Sequence, residues 1–341
     1  MHPEQPNLTD YGESGTEPCD RSQIKAAYCT VRSNSVTISD ILAESTSNFQ
    51  GPQVPRGWNS LVHDIPDFDY LVCSNSPPTL KGGLTRFEVY QTDRSIKQIF
   101  SVDSQEGEIL DITHNPKTKF VALLSKIKQH NYHLFCYENW QLLKRARWQA
   151  AHNDIISSLD FSPCGDFIAS MDQQGVCVVS EVTTDETILK TETAGAKFSA
   201  TKCRWNPNNS CIALSFNKKF INLLDPASNK MIFAENIQPY SQHINWIDWN
   251  DDGNLLSLCS REKDVKIFDV REGAIVRSIT NLHKDEINCV KWSPSSKMIL
   301  TGSSDGTMRI TDFKTEKMIH SEKSLDNCWV SSVCFMGNNT I

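Results

Sequence analysis

Residues 283–312 read HKDEINCVKWSPSSKMILTGSSDGTMRITD, and this stretch decides the fold. Val290 and Trp292 alternate with polar neighbours, the period-two pattern of a half-buried strand. They stop at Ser293-Pro294, a turn pair. Met298 to Gly302 is a second apolar run. Ser303-Ser304-Asp305-Gly306 forms a hairpin tip, because Asp and Gly tolerate positive φ. Met308 to Asp312 is the third strand.

The stretch matters because it recurs. The turn after the first strand is Asn115-Pro116, Ser162-Pro163, Asn206-Pro207, Asn250-Asp251 and Ser293-Pro294, at intervals of 43 to 47 residues. In four copies an acid ends the third strand 18 positions after the second turn residue: Glu181, Asp225, Asp269 and Asp312. An apolar alternation precedes these turns, as Leu159/Phe161, Cys203/Trp205, Ile247/Trp249 and Val290/Trp292, and Val333/Phe335 begins a further copy. A fixed period of this length, built from short strands, predicts an all-β propeller of four-stranded antiparallel blades. One blade cannot bury its own faces, so neighbours must stack and the ring must close.

These residues resemble the WD-repeat β-propeller family, over roughly residues 107–336. His152 and His283 stand at the family's His position, 11 residues before the second turn residue. Phe268-Asp269 stands where the Trp-Asp pair would be, and Asp305 matches the turn aspartate. Ser180, Leu224, Phe268 and Thr311 occupy the Trp position, so the resemblance implies that the His-Ser-Asp-Trp hydrogen-bond network is incomplete in every blade. For His152, His283 and Asp305 it implies a structural role, tying loop to hairpin.

Seven blades of about 40–45 residues would use nearly the whole 341-residue chain. The formal charge of −7 argues against general attraction to nucleic acid or anionic membrane. No apolar run has the length of a bilayer span, and the N-terminus lacks a basic-then-apolar leader. The expected location is therefore cytosolic or nuclear, with no membrane insertion. The 12 cysteines lie singly, as at Cys203, Cys211, Cys259 and Cys289, without any CxxC pair. Packed thiols are expected rather than a zinc site. The sequence contains no Gly-x-Ser-x-Gly elbow, phosphate-binding Gly-rich loop or His-Glu-x-x-His, and predicts no catalytic site, metal or cofactor.

Along the chain, residues 1–23 read as a polar, disordered tail, and 24–341 as the propeller. Ile24 to Val31 and Ser35 to Leu42 resemble strands b and c of a blade that lacks strand a, whereas Trp329 to Phe335 is a strand a with nothing after it. Either the N-terminal strands complete the last blade, giving seven, or Ile341 is an interior point of a longer protein. Glu44 to Val54 reads as a loop, and residues 58–102 as a degenerate blade.

Three sets of candidate binding residues stand out. Phe268-Asp269-Val270-Arg271 resembles the aromatic-Asp-x-Arg signature of cullin-4 ubiquitin-ligase substrate receptors, in which the Arg reaches the ligase's adaptor; the alternative is a surface Arg pairing with Asp269. Within residues 117–147, Lys117, Lys119, Lys126, Lys128, Lys144, Arg145 and Arg147 face one acid, Glu138. Such a patch would suit an acidic peptide, a phosphate or RNA, although Lys117/Lys119 and Lys126/Lys128 fall at opposite ends of one strand. Trp148, Tyr240, Trp246 and Trp329 lie in the connections between blades, where aromatic anchors dock peptides. Trp205, Trp249 and Trp292 are expected in the core.

The sequence therefore predicts a noncatalytic scaffold that binds other proteins through its rims. The alternative is a cullin-4 substrate receptor. An enzyme on this scaffold would require a cluster of acids or histidines in the central channel.

Overall fold

The computed structural model describes residues 25–30, 35–40, 45–50, 59–65, 70–76, 85–91, 97–104, 108–115, 117–126, 131–136, 139–147, 151–152, 154–192, 200–217, 220–233, 237–324 and 328–336. The expected tail at 1–23 lies outside them. The described strands form seven four-stranded antiparallel sheets. Five follow in simple order: β8 (Glu108–Asn115) to β11 (Gln141–Arg147), β12 (Ile156–Phe161) to β15 (Thr187–Glu192), β16 (Ala200–Trp205) to β19 (Lys230–Met231), β20 (Ile244–Trp249) to β23 (Ala274–Ile279), and β24 (Ile287–Trp292) to β27 (Met318–Lys323). A sixth runs from β4 (Asn59–Ile65) to β7 (Lys97–Ser104).

The seventh sheet joins the two ends of the ring, the first of the two alternatives that the sequence leaves open. Its order is β28 (Val330–Met336), β1 (Lys25–Thr30), β2 (Ser35–Asp40), β3 (Ser45–Gln50), with Ala26 opposite Phe335. The expected loop at 44–54 is corrected here, because β3 pairs along the whole of β2, Val36 opposite Phe49. Ser45, Thr46, Ser47 and Asn48 read as a loop, but an outer strand needs little apolar surface to keep its ladder. The first strands β4, β8, β12, β16, β20, β24 and β28 each pack against the next, and β28 packs against β4, so the inner ring is closed.

A bulge repeats on the inner strands. Leu110, Ser157, Thr201, Asn245 and Asn288 each sit unpaired between two ladder partners. A bulge bends its strand and re-aims the side chains that follow. Here the alternate residues after it, such as Asp111, Asp160, Arg204 and Asp248, line the channel. The bulge residues also stitch blades together: Asn245 Nδ2 donates to Ile287 O and Asn288 Nδ2 to Val330 O, both at 2.8 Å.

A second bulge recurs on outer strands at Ile99, Leu143, Ile188, Val276 and Ile319. It interrupts the free ladder edge that would otherwise template another chain.

The periodic acids are turn caps. Asp269 Oδ1 accepts from the N–H of Arg271 and Glu272, Asp225 Oδ1 from Ala227 N–H, and Asp312 Oδ1 from Thr315 N–H. The Glu181 carboxylate accepts from the Thr184 hydroxyl. Trp205, Trp249 and Trp292 are buried between blades, and Trp249 Nε1 donates to Arg204 O of the preceding blade at 3.0 Å.

Candidate functional site

The inner strands converge on a cavity of about 240 Å³, lined among others by His63, Asp111, His114, Arg204, Trp246 and Lys291. Two residues before the a–b turn, successive blades carry Thr113, Asp160, Arg204, Asp248 and Lys291. The last four alternate in sign around the ring. Asp248 Oδ1 pairs with Lys291 Nζ at 2.9 Å, while Asp248 Oδ2 accepts from Trp292 N–H at 2.8 Å. One blade pair earlier, Asp160 Oδ2 accepts from Trp205 N–H and Asp160 Oδ1 from the Thr113 hydroxyl, both at 2.7 Å. The same device therefore joins neighbouring blades twice.

Deeper in the channel, Asp111 gathers Lys202 Nζ at 3.0 Å and a two-pronged contact from Arg204, at 3.1 and 3.2 Å. The Ser158 hydroxyl donates to Asp111 Oδ2 at 2.6 Å. Burial alone would push Asp111 up, but the Arg204 and Lys202 charges outweigh it and hold this carboxyl well below the usual range. Asp160 goes the other way: burial raises it despite the attraction of Arg204. Three carboxylates, Asp111, Asp160 and Asp248, thus face three cations, Lys202, Arg204 and Lys291. The Trp246 ring lies among these cations, with Lys202 Nζ 4.3 Å from its centroid. On the far wall His63 Nε2 and His114 Nδ1 stand 2.6 Å apart. Burial, then His114, Lys291 and Arg204, lower His63 well below the ordinary value for histidine.

The structure brings into one channel the acids and histidines that an enzymatic reading requires. Both oxygens of each carboxylate accept from protein donors. Among the described residues no group of three or more His, Cys, Asp or Glu is placed to hold a metal ion, and no helix is long and apolar enough to cross a membrane.

The structural histidines form a three-member version of the family network. His152 Nδ1 faces Asp172 Oδ2 at 3.1 Å and Nε2 faces Ser170 Oγ at 2.7 Å. His283 repeats this with Asp305 at 3.2 Å and Thr301 at 2.8 Å. The carboxylate fixes the proton on Nδ1, leaving Nε2 to accept from the hydroxyl.

The expectation that Tyr240 and Trp246 are rim anchors is corrected. Tyr240 is 5% exposed and Trp246 8%. Tyr240 stands 11 residues before Asp251, the register of His152 and His283, and substitutes for the missing histidine. Its hydroxyl donates to Leu258 O at 2.6 Å and accepts from Lys266 N–H at 3.0 Å. Leu258 is the counterpart of Ser170 and Thr301 in this blade. Trp246 follows the inner bulge and therefore turns into the channel wall.

Trp329 is 47% exposed. Arg271 is also exposed, whereas Asp269 is buried and bonded to turn N–H groups. The two exposed residues lie at opposite mouths. Trp329 directly precedes the inner strand β28, and the turn holding Arg271 abuts an a–b turn, Val270 N–H donating to Asn254 O. In the basic segment, Lys126 ends β9 (Phe120–Lys126) and Lys144, Arg145 and Arg147 lie on β11. The register through β10 (Asn131–Cys136) pairs Arg147 with Asn131 and Asn131 with Ser125, bringing Lys126 and Arg147 to one end of the blade. Lys117 and Lys119 are at the other end. Lys128 and Trp148 lie outside the described residues.

Residues 144–177 and 275–312 match the WD domain, G-beta repeat family, and residues 203–292 match the anaphase-promoting complex subunit 4 WD40 domain. Protein HIR1 of Candida albicans is 24% identical over 159 residues, 47% of this chain and 14% of its own length. WD repeat-containing protein 1 of Rattus norvegicus is 24% identical over 215 residues, 50% of this chain and 35% of its own. F-box-like/WD repeat-containing protein TBL1Y of Homo sapiens is 28% identical over 107 residues, 30% of this chain and 20% of its own. The matches therefore span 14% to 35% of these relatives' lengths. Matching repeats, WD-repeat relatives, four-stranded blades and the His–hydroxyl–Asp ties agree: they support a β-propeller built of WD-type repeats.

Proposed function

We propose that this chain is a noncatalytic scaffold that presents its two rims to partner proteins within a multiprotein assembly, in the cytosol or nucleus. A protein-interaction role follows from the WD-repeat relatives. The observation that supports the noncatalytic form is the channel chemistry. A general base or nucleophile must be turned toward a substrate, whereas both oxygens of Asp111, Asp160 and Asp248 accept from protein donors, among them Arg204, Trp205 and Trp292, and so serve contacts between blades. The exposed groups, Trp329 and Arg271, belong to types enriched at binding hot spots.

A second reading is that Arg271 engages the adaptor of a cullin-4 ubiquitin ligase. It is supported by the exposure of Arg271 on a turn that Asp269 holds in shape. Co-purification from the protein's own cells, comparing the parent with Arg271→Ala and Trp329→Ala, separates the readings. Ligase components lost only with Arg271→Ala would favour the receptor. Partners lost with Trp329→Ala, without ligase components in any sample, would favour the general scaffold. Identical partners in all three samples would overturn both assignments of contact residues.

A further inference from the structure

We propose that the seam between the blades of β4 and β8 is a proton-operated latch, closed by the hydrogen bond between His63 and His114 and opened by acid. His63 lies on β4 and His114 on β8, and these inner strands pack together. Their facing nitrogens, Nε2 and Nδ1, are 2.6 Å apart, and the rings meet edge-on with centroids 4.8 Å apart. One proton fits between two nitrogens at this distance. A second places two N–H groups head to head, and protonating both rings sets two cations side by side in a half-buried wall.

The surroundings oppose a positive charge on this pair. Across the cavity stand Arg204 on β16 and Lys291 on β24. Of the acids, Asp64 adjoins His63 on its own strand. Asp111 on β8 is held by Lys202 and Arg204, Asp160 on β12 by Thr113 and Trp205, and Asp248 on β20 by Lys291. Against β4, the described side chains of β1, β5 (Tyr70–Ser76) and β28 include one ionisable group, the Cys334 thiol. The inner strands of neighbouring blades β12–β16 and β20–β24 are instead joined by carboxylate–N–H bonds from Asp160 and Asp248. A seam held by a neutral imidazole pair responds near the ordinary histidine range, whereas the Asp248 tie between β20 and β24 contains no imidazole.

Segment-resolved hydrogen exchange between pH 8 and pH 5, corrected for the intrinsic pH dependence of exchange, tests this on the full chain. Residues 59–65 and 108–115 are expected to gain exchange below about pH 6.5, by up to tenfold per pH unit for each proton taken up on opening. Residues 244–249 and 287–292 are the internal reference and should stay protected. The double variant His63→Gln/His114→Asn places amide atoms where Nε2 and Nδ1 stand and removes the titration. It should keep the seam protected at pH 8 and abolish the acid response. Parallel exchange at both seams in the parent would overturn the proposal, as would an unchanged acid response in the variant. Should the variant fail to fold, the comparison of seams within the parent decides.

Discussion

Asp111 and Arg204 meet across the channel from blades that are not neighbours. The carboxylate on β8 takes both guanidinium Nη atoms from β16, while β12, which lies between them, adds the Ser158 hydroxyl. Three consecutive blades are thereby fixed by one buried ion pair. Removing one partner of such a pair leaves a buried charge and costs about 3–5 kcal/mol. Arg204→Met should lower unfolding free energy in urea at pH 7 by that amount. Adding Asp111→Leu together with Lys202→Met, whose ammonium faces the same carboxylate at 3.0 Å, should restore part of the loss, because no uncompensated buried charge remains. Strict additivity of the three substitutions would show that the groups do not act as a unit.

Tyr240 carries the loop-to-hairpin tie of its blade through its hydroxyl. Tyr240→Phe keeps the ring under Lys266, whose Nζ is 4.4 Å from the centroid, but leaves Leu258 O without this donor. A cost of about 1–3 kcal/mol is expected from an unsatisfied buried group. Equal thermal stability of parent and variant would contradict the substitution of tyrosine for histidine.

His283 makes the WD tie sensitive to acid. Burial, against the pull of Asp305, lowers it from 6.5 to about 4. The folded state holds neutral imidazole, so unfolding takes up a proton below about pH 6.5. The contribution of His283 is complete above that pH and fades as pH falls toward about 4, reaching about 3 kcal/mol in all. Denaturant melts at pH 7.5 and pH 5 should therefore differ less in His283→Gln than in the parent. An equal difference in both proteins would refute the assignment.

Gly253 closes an a–b turn at φ +67, and a Cβ there would lie 2.4 Å from Asn206 Oδ1 of the preceding blade. Asn206 Nδ2 donates to Gly253 O at 2.7 Å, so the turn is held against its neighbour and has no room to move. Gly253→Ala should cost more than about 1 kcal/mol, since positive φ and the clash act together. Thermal denaturation measures this directly, and a neutral or stabilising effect would contradict the turn geometry.

The buried tryptophan Trp292 separates packing from surface roles. Trp292→Ala should cost about 3–5 kcal/mol, whereas Arg271→Ala on an exposed turn should stay within about 0.5 kcal/mol. Urea melts of the two variants provide the comparison, and similar losses would mean that Arg271 is structural.

The ring was legible in the sequence because each blade repeats local chemistry. A turn pair follows an apolar alternation, and 18 positions later an acid caps the next turn, so spacing alone locates the strands. The polar tie was legible only where it kept histidine. Tyr240 occupies the same register but reads as an aromatic anchor, and only its bonds to Leu258 and Lys266 reveal the role. The channel was the larger omission. Asp160, Arg204, Asp248 and Lys291 each look like the solvent-facing partner of a buried Trp or Phe, and their pairing joins residues of different blades. A signal was nevertheless present: the same register, two residues before each turn, alternates in charge over four repeats. The inner bulge that turns these side chains into the channel has no comparable signature, since Ser157, Thr201, Asn245 and Asn288 are ordinary polar strand residues.

The pairing of Ala26 with Phe335 has a consequence for synthesis on the ribosome. β1 is made before every blade that follows it, but its inner ladder partner is β28, some three hundred residues further along the chain. Until then β1 presents an unsatisfied backbone edge, and the nascent chain must carry it through the assembly of every intervening blade. Loop closure over so long a separation is intrinsically slow, so the open edge of β1 persists until β28 arrives to close the ring.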